Sequence, residues 1–354
     1  MMEFGVVIHG GAWKIPDEAC EAHRQGVKAA CQAAFEILAR GGSALDAAEA
    51  AVVILEDDPT FDAGVGSFVT QAGEVELDAI FGADDLRVGS VCAVQHVRNP
   101  IKVARLVMEQ SPHTLLAGTG ATEFAKEHAI ELVETESLLV GRELERFHAI
   151  RAQRELFVAK DAFRHVPADS TTATATGTTT TSTTDTQPSK GQGLGTVGCV
   201  CIDQQGRAAV AVSTGGTPFK RRGRVGDSPI WGAGAYLDGH VAVAATGYGE
   251  DLYRVLACRT AVDYATSHRA LPSELPSIAT DESSSFAELA TAAAPFAPRV
   301  QASVHATIAE LTRRANGLGG LIAIGPDGIG LAWNTPRMAY AYRTSSMDTT
   351  VVGV

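Results

Sequence analysis

The chain has 354 residues, 45% hydrophobic and 20% charged, enough for one large domain or two ordinary ones around a substantial core. Its net charge of -12 and isoelectric point near 5.3 argue against nucleic acid or an anionic membrane as the main partner. No apolar run approaches the roughly 18–20 residues of a membrane span.

The start, "MMEFGVVIHGG", has no basic segment ahead of an apolar one, so no secretory signal is expected. Six cysteines, none in a C-x-x-C pair and most within apolar runs, suit buried reduced thiols in a cytoplasmic protein. The ten histidines are scattered without metal-ligand spacing, so no zinc site is expected.

Phe4 to Ile8 reads as a short buried strand ending at "HGGAW". Asp17 to Arg40 reads as a helix, with Val27, Ala30, Cys31, Ala34, Ile37 and Leu38 at helical spacing and Gly41 as the stop. Ser43 suits the N-cap of a second helix through about Glu56. A glycine-rich loop, "DDPTFDAGVGSFVT", follows. The runs "EVELDAIFG" and "GSVCAVQHV" then read as strands, and Asn99-Pro100 opens a helix through about Glu109. Helical patterns continue over 121–129 and 143–160.

Residues 170–186 are almost entirely Thr, Ser, Ala and Gly. Such a tract buries too little apolar area to offset its ordering entropy, and 166–193 is read as a flexible linker. Beyond it, "TVGCVCID", "RAAVAVSTGG" and "HVAVAATG" read as strands, and Leu252 to Ser267 as a helix. Residues 271–299 read as a surface insertion. A helix over 301–315 leads to a hairpin turning at Pro326-Asp327-Gly328. Helices then strands, a break, and strands then helices suit an α+β fold better than alternating βαβ units.

Gly193, Gly195 and Gly198 spell G-x-G-x-x-G. A dinucleotide loop should follow a strand and open a helix, whereas this one follows the linker and precedes a strand. An ordinary turn into a buried strand is one reading. Thr196 as a reagent is another. A threonine hydroxyl inside a chain needs a base. At a chain N-terminus its own α-amine, with a pKa of about 7.7–8, takes that part. Breaking the Gly195–Thr196 bond would put nucleophile and base on one residue, and Gly195 can adopt the backbone strain that such a cleavage needs.

An acyl-transfer site also needs an oxyanion hole and a substrate grip. "ATGYGED" offers the hydroxyl of Thr246 beside the N–H of Gly247. "GRVGDSP" sets Arg224 and Asp227 three residues apart in a glycine-rich loop. Arginine suits a carboxylate and aspartate an ammonium, so the two could hold the head of an amino acid. An ordinary surface ion pair is the competing reading.

These segments carry a resemblance. "IHGGAW", "ILEDDPTFDAGVGS", "NPIKVARLVMEQSPH", "GTVGCVCID", "VSTGGTPFKRRGRVGDSPIWGAGAYLD", "ATGYGE" and "GLGGLIAI" stand in the order seen in plant-type L-asparaginases. These are also called isoaspartyl peptidases and are threonine N-terminal nucleophile hydrolases. The resemblance covers nearly all of the chain except the linker and 271–299. It implies a four-layer αββα sandwich over 1–354, self-cleaved into an α subunit, 1–195, and a β subunit, 196–354. It further implies a homodimer of αβ units hydrolysing small-molecule or dipeptide substrates, L-asparagine and β-aspartyl dipeptides.

By the same resemblance Thr196 is the nucleophile and Thr214 the threonine whose hydroxyl bonds it. Arg224 and Asp227 bind the substrate's α-carboxylate and α-ammonium, and Thr246 with Gly247 forms the oxyanion hole. No organic cofactor is implied. The loop after Leu55 resembles the family's structural sodium loop, built from backbone carbonyls.

One departure stands out. Where the family reads F-N-A-G, this chain has Phe61-Asp62-Ala63-Gly64. An ionised aspartate only accepts hydrogen bonds and raises the pKa of an adjacent amine, so Asp62 is expected to slow catalysis or to move its optimum to higher pH. Glycosylasparaginases share the Arg/Asp loop but use the secretory route and carry disulfides. Taspase-like endopeptidases usually lack an acid at the position of Asp227. A cleavage-deficient, non-catalytic homologue is the alternative of a different class.

Overall fold

The computed structural model describes residues 4–161, 195–239, 241–272 and 298–354. The linker expected over 166–193 and most of the insertion expected over 271–299 lie outside them.

The strand expected at Phe4–Ile8 runs further, as β1 (Gly5–Trp13), through the "HGGAW" motif. Two helices follow, α1 (Asp17–Ala39) and α2 (Ala44–Asp57). Ser43 caps α2 by accepting from the Asp46 N–H at 3.1 Å. Next come β2 (Leu77–Ala83), β3 (Val88–Val94), α3 (Pro100–Gln110), the short β4 (Leu115–Ala117), α4 (Gly118–Glu127) and α5 (Gly141–Asp161). After the break stand β5 (Val197–Ile202), β6 (Ala208–Thr214), β7 (Ala235–Leu237) and β8 (Ala242–Gly247).

The helix expected over Leu252–Ser267 is instead two, α6 (Gly249–Val255) and α7 (Ala257–Ala265). They break at Leu256, whose φ of 47° no helix continues through and whose side chain stays exposed. A helix α8 (Pro298–Ala315) then leads to the expected hairpin, β9 (Gly319–Gly325) and β10 (Gly328–Trp333). The chain closes with β11 (Arg337–Thr344) and β12 (Val351–Gly353).

One sheet has the order β12-β11-β1-β5-β6-β2-β3-β4 and the other β10-β9-β8-β7. The arrangement is α+β, with antiparallel hairpins dominating. The strand β5 is central because both faces of its run are apolar. Val197, Cys199 and Cys201 point to the core shared with α1 and α2, while Val200 and Ile202 join the core lined by β8, β9 and β10. A strand buried on both sides reads as a continuous apolar run, as "VGCVCI" does. A third core packs the smaller sheet against α6, α7 and α8. All six cysteines are free and buried, and among the described residues no helix is long and apolar enough to cross a membrane.

Candidate active site

Thr196 sits immediately before β5, in the middle of the larger sheet, and is 6% exposed. Its hydroxyl donates to Thr214 Oγ1 at 3.0 Å. Thr214 ends β6, the hairpin partner of β5, and the register Val197↔Ser213 puts the two threonines side by side. Thr214 Oγ1 also accepts from the Gly216 N–H at 3.0 Å. The turn after β6 thus fixes the Thr214 oxygen, and that oxygen fixes the rotamer of Thr196.

The other neighbour of β5 supplies a residue that motif reading missed. His9 on β1 is fully buried, and its Nδ1 donates to the Thr196 carbonyl at 3.1 Å. Burial pushes the imidazole down to about 3, so it is neutral. The register pairs His9 with Gly198, where a Cβ would lie 2.3 Å from His9 Nε2. The signal for His9 was its place in "IHGGAW", but a histidine within a buried strand has no local pattern that names its partner.

Gly195 and Gly198 are therefore packing glycines. Gly195 is not among the residues with positive φ. What excludes a side chain there is contact: a Cβ would lie 2.7 Å from Asp62 N and 2.9 Å from Asp62 Cβ. The close approach of Asp62 is thus a requirement for glycine at 195 in its own right.

Asp62 lies in the loop after α2 and touches both the residue before Thr196 and the turn after Thr214. Its main chain borders Gly195, its carbonyl accepts from Gly215 N–H at 2.8 Å, and its Oδ1 accepts from Phe68 N–H at 3.2 Å. Oδ2 is buried without a partner. Burial raises the carboxyl well above the usual range, against the opposing charge of Lys220 and the Phe68 hydrogen bond. Burial thus favours the protonated form of Asp62, which donates as well as accepts, whereas an ionised aspartate only accepts.

The same loop turns on Gly64 and Gly66, with φ of 58° and 98°. A Cβ at Gly64 would strike the carbonyl oxygens of Glu56 and Arg98, and one at Gly66 those of Phe61 and Pro59. Backbone oxygens crowd this turn, and among the described residues no His, Cys, Asp or Glu cluster forms a metal site.

Thr246 is the last residue but one of β8 and is fully buried; its Oγ1 accepts from the Ala12 N–H at 3.3 Å. Accepting there leaves its own O–H as a donor for another oxygen. His9 and Ala12 lie three residues apart on β1, so one strand ties Thr196 and Thr246 together. Gly247 has a φ of 145°, and a Cβ there would lie 2.5 Å from both Gly319 Cα and Leu318 O.

Two residues on, the main chain of Gly249 meets the charged loop. A Cβ at Gly249 would lie 2.9 Å from Asp227 Oδ1 and 3.0 Å from Arg224 Nη2. Arg224 and Asp227 do not pair. The guanidinium makes two hydrogen bonds to Glu250, Nε to Oε1 at 2.9 Å and Nη2 to Oε2 at 2.7 Å. Asp227 is buried with Oδ2 unpartnered, and burial lifts its carboxyl to about 7 although the Arg224 charge pulls the other way. The ordinary surface ion pair is therefore not what stands here. Contacts join Asp62 to Gly195, Thr196 to Thr214 and, through β1, Thr196 to Thr246, while Gly249, two residues after Gly247, borders Arg224 and Asp227.

A buried threonine hydroxyl bonded to a second threonine, tied through β1 to another buried threonine, in a chain that also holds an arginine and a buried aspartate apart, suits an acyl-transfer hydrolase. The chain belongs to the asparaginase family, whose model matches residues 2–286. It is 35% identical over 340 residues to the isoaspartyl peptidase/L-asparaginase of Homo sapiens, covering 95% of this chain and 92% of that protein. The protein of the same name from Bos taurus is 34% identical over the same shares. That of Xenopus laevis is 39% identical over 256 residues, 72% of this chain and 73% of its own.

Proposed function

We propose that this chain is an autoprocessing threonine amidohydrolase that hydrolyses L-asparagine, β-aspartyl dipeptides or both, releasing L-aspartate. The observation that carries the reading is the 3.0 Å hydrogen bond from the Thr196 hydroxyl to Thr214, with Asp62 packed against the preceding glycine. Membership of the asparaginase family and the names of the relatives support it.

Cleavage before Thr196 frees its α-amine, and the fold is then a four-layer αββα sandwich of the N-terminal nucleophile type. The substrate's α-carboxylate lies on Arg224 and its α-ammonium on Asp227. Thr196 Oγ attacks the side-chain carbonyl, and its proton passes to the amine of the same residue. The Thr246 O–H and Gly247 N–H receive the oxyanion. The amine returns the proton to the leaving ammonia or amino acid, and water releases aspartate by the same route.

The carbonyl oxygens gathered around Gly64 and Gly66 suit a hard cation such as sodium in a structural role. The cleaved units pair as a homodimer in the cytoplasm, and the chemistry uses no organic cofactor.

The test is mass spectrometry of the purified protein beside its Thr196→Ala variant, followed by incubation with a β-aspartyl dipeptide. Two fragments, one beginning at Thr196, and release of aspartate are expected from the parent. The variant should stay intact and lose about 10³-fold or more in rate. An intact parent with normal turnover overturns the mechanism.

A further inference from the structure

Arg224 and Asp227 present a physical difficulty. Opposite charges three residues apart in one loop attract each other. At close range in a partly buried setting that attraction is strong. A grip for a zwitterion that closed on itself would offer neither charge to the substrate. Yet Asp227 Oδ2 is buried and unpartnered, and no ion pair joins it to Arg224 among the described residues.

What holds them apart is visible. Both hydrogen bonds of the Arg224 guanidinium, through Nε and Nη2, go to Glu250 on the first turn of α6. This pair is only partly wet, Arg224 at 16% and Glu250 at 36% side-chain exposure, so it is held more firmly than a free surface pair. Burial resists the Glu250 charge, but the Arg224 hydrogen bonds prevail and keep its carboxyl below the usual range. The main chain of Gly249 sits against both Nη2 of Arg224 and Oδ1 of Asp227. One fork edge of the guanidinium is thereby occupied, and Nη1, with the edge it forms, is left over. Such a two-point hold also fixes the plane of the fork.

We infer that Glu250 is a positioning residue of the substrate grip: it holds Arg224 off Asp227, leaving one guanidinium edge for the substrate's α-carboxylate and the Asp227 carboxyl for its α-ammonium. The inference deepens the proposed function and rests on it for the identity of the ligand. Glu250 touches no reacting atom. Its removal lets Arg224 swing onto Asp227, which weakens binding of anything with an amino-acid head and leaves the nucleophile alone.

The experiment compares the parent with Glu250→Gln and Glu250→Ala. Three quantities are read: the extent of chain opening at Thr196, the steady-state constants with a β-aspartyl dipeptide, and the calorimetric Kd for L-aspartate. Expected are normal opening in both variants, KM and Kd raised about tenfold or more, as for loss of a charged hydrogen bond, and kcat within about threefold of the parent. Unchanged or tightened KM and Kd overturn the inference, since Glu250 would then be a bystander or a competitor of the substrate. A fall in kcat at constant KM overturns it too. So does failure of both variants to open, which would assign Glu250 to the fold of the nucleophile end. Failure of the parent itself to bind L-aspartate or to turn over would instead overturn the proposed function.

Discussion

The two ends of the site are built on opposite electrostatic plans. Around Thr196 the direct partners are uncharged, Thr214 and a buried imidazole at about 3, and the nearby Asp62 carboxyl is raised by burial against the charge of Lys220. Around Arg224 a partly exposed ion pair with Glu250 stands beside Asp227, which is buried and lifted to about 7. In the proposed reaction the Thr196 hydroxyl benefits from a dry, fixed setting. A zwitterion needs full charges that are spaced and oriented in advance. Covalent steps and recognition should therefore fail separately when each end is damaged.

The strongest way to break that contrast is Arg224→Ala. It should lower kcat/KM for a β-aspartyl dipeptide by about 10²–10³-fold, as when one partner of a buried charge pair is removed. Chain opening at Thr196, followed by mass spectrometry, should be untouched. If opening is lost as well, the two ends are not independent.

A pH series sharpens the same division. The Asp227 carboxyl, lifted by burial to about 7, must be ionised to hold an ammonium. KM for the dipeptide, and Ki for L-aspartate, should therefore fall as pH rises through about 7. Binding that is flat from pH 6 to 8 would remove Asp227 from the grip.

The smallest expected effect belongs to Asp62→Asn. Opening the chain places an ammonium beside Asp62, and an ionised carboxylate there keeps the amine protonated. An amide cannot ionise, so the amine of the variant titrates lower. The rising limb of kcat should move to lower pH by about one unit, while KM stays put. An unchanged profile and rate would mean that Asp62 remains a neutral donor throughout and stands in for an amide.

Much of the fold was legible where order is local. Apolar spacing and a serine cap located α1 and α2 within a residue or two, because a helix bonds only its own neighbours in sequence. The hairpin of β9 and β10 was equally plain from its turn residues. The break at Leu256 was not, since apolar spacing carries across it while the backbone does not. The strand β11 escaped notice too, although it pairs along β1 and carries one side of the sheet.

The site divides along the same line. Chemistry that belongs to a residue and its immediate neighbours was fixed by the sequence: a threonine after a glycine, an arginine three residues before an aspartate, an aspartate where the family carries an amide. Tertiary structure alone decided what those groups meet. It brought His9 to a carbonyl 187 positions away, Ala12 to Thr246, and Glu250 to Arg224. It also set the direction in which the Asp62 carboxyl shifts, because desolvation depends on everything packed around a carboxyl and sequence spacing carries no measure of that.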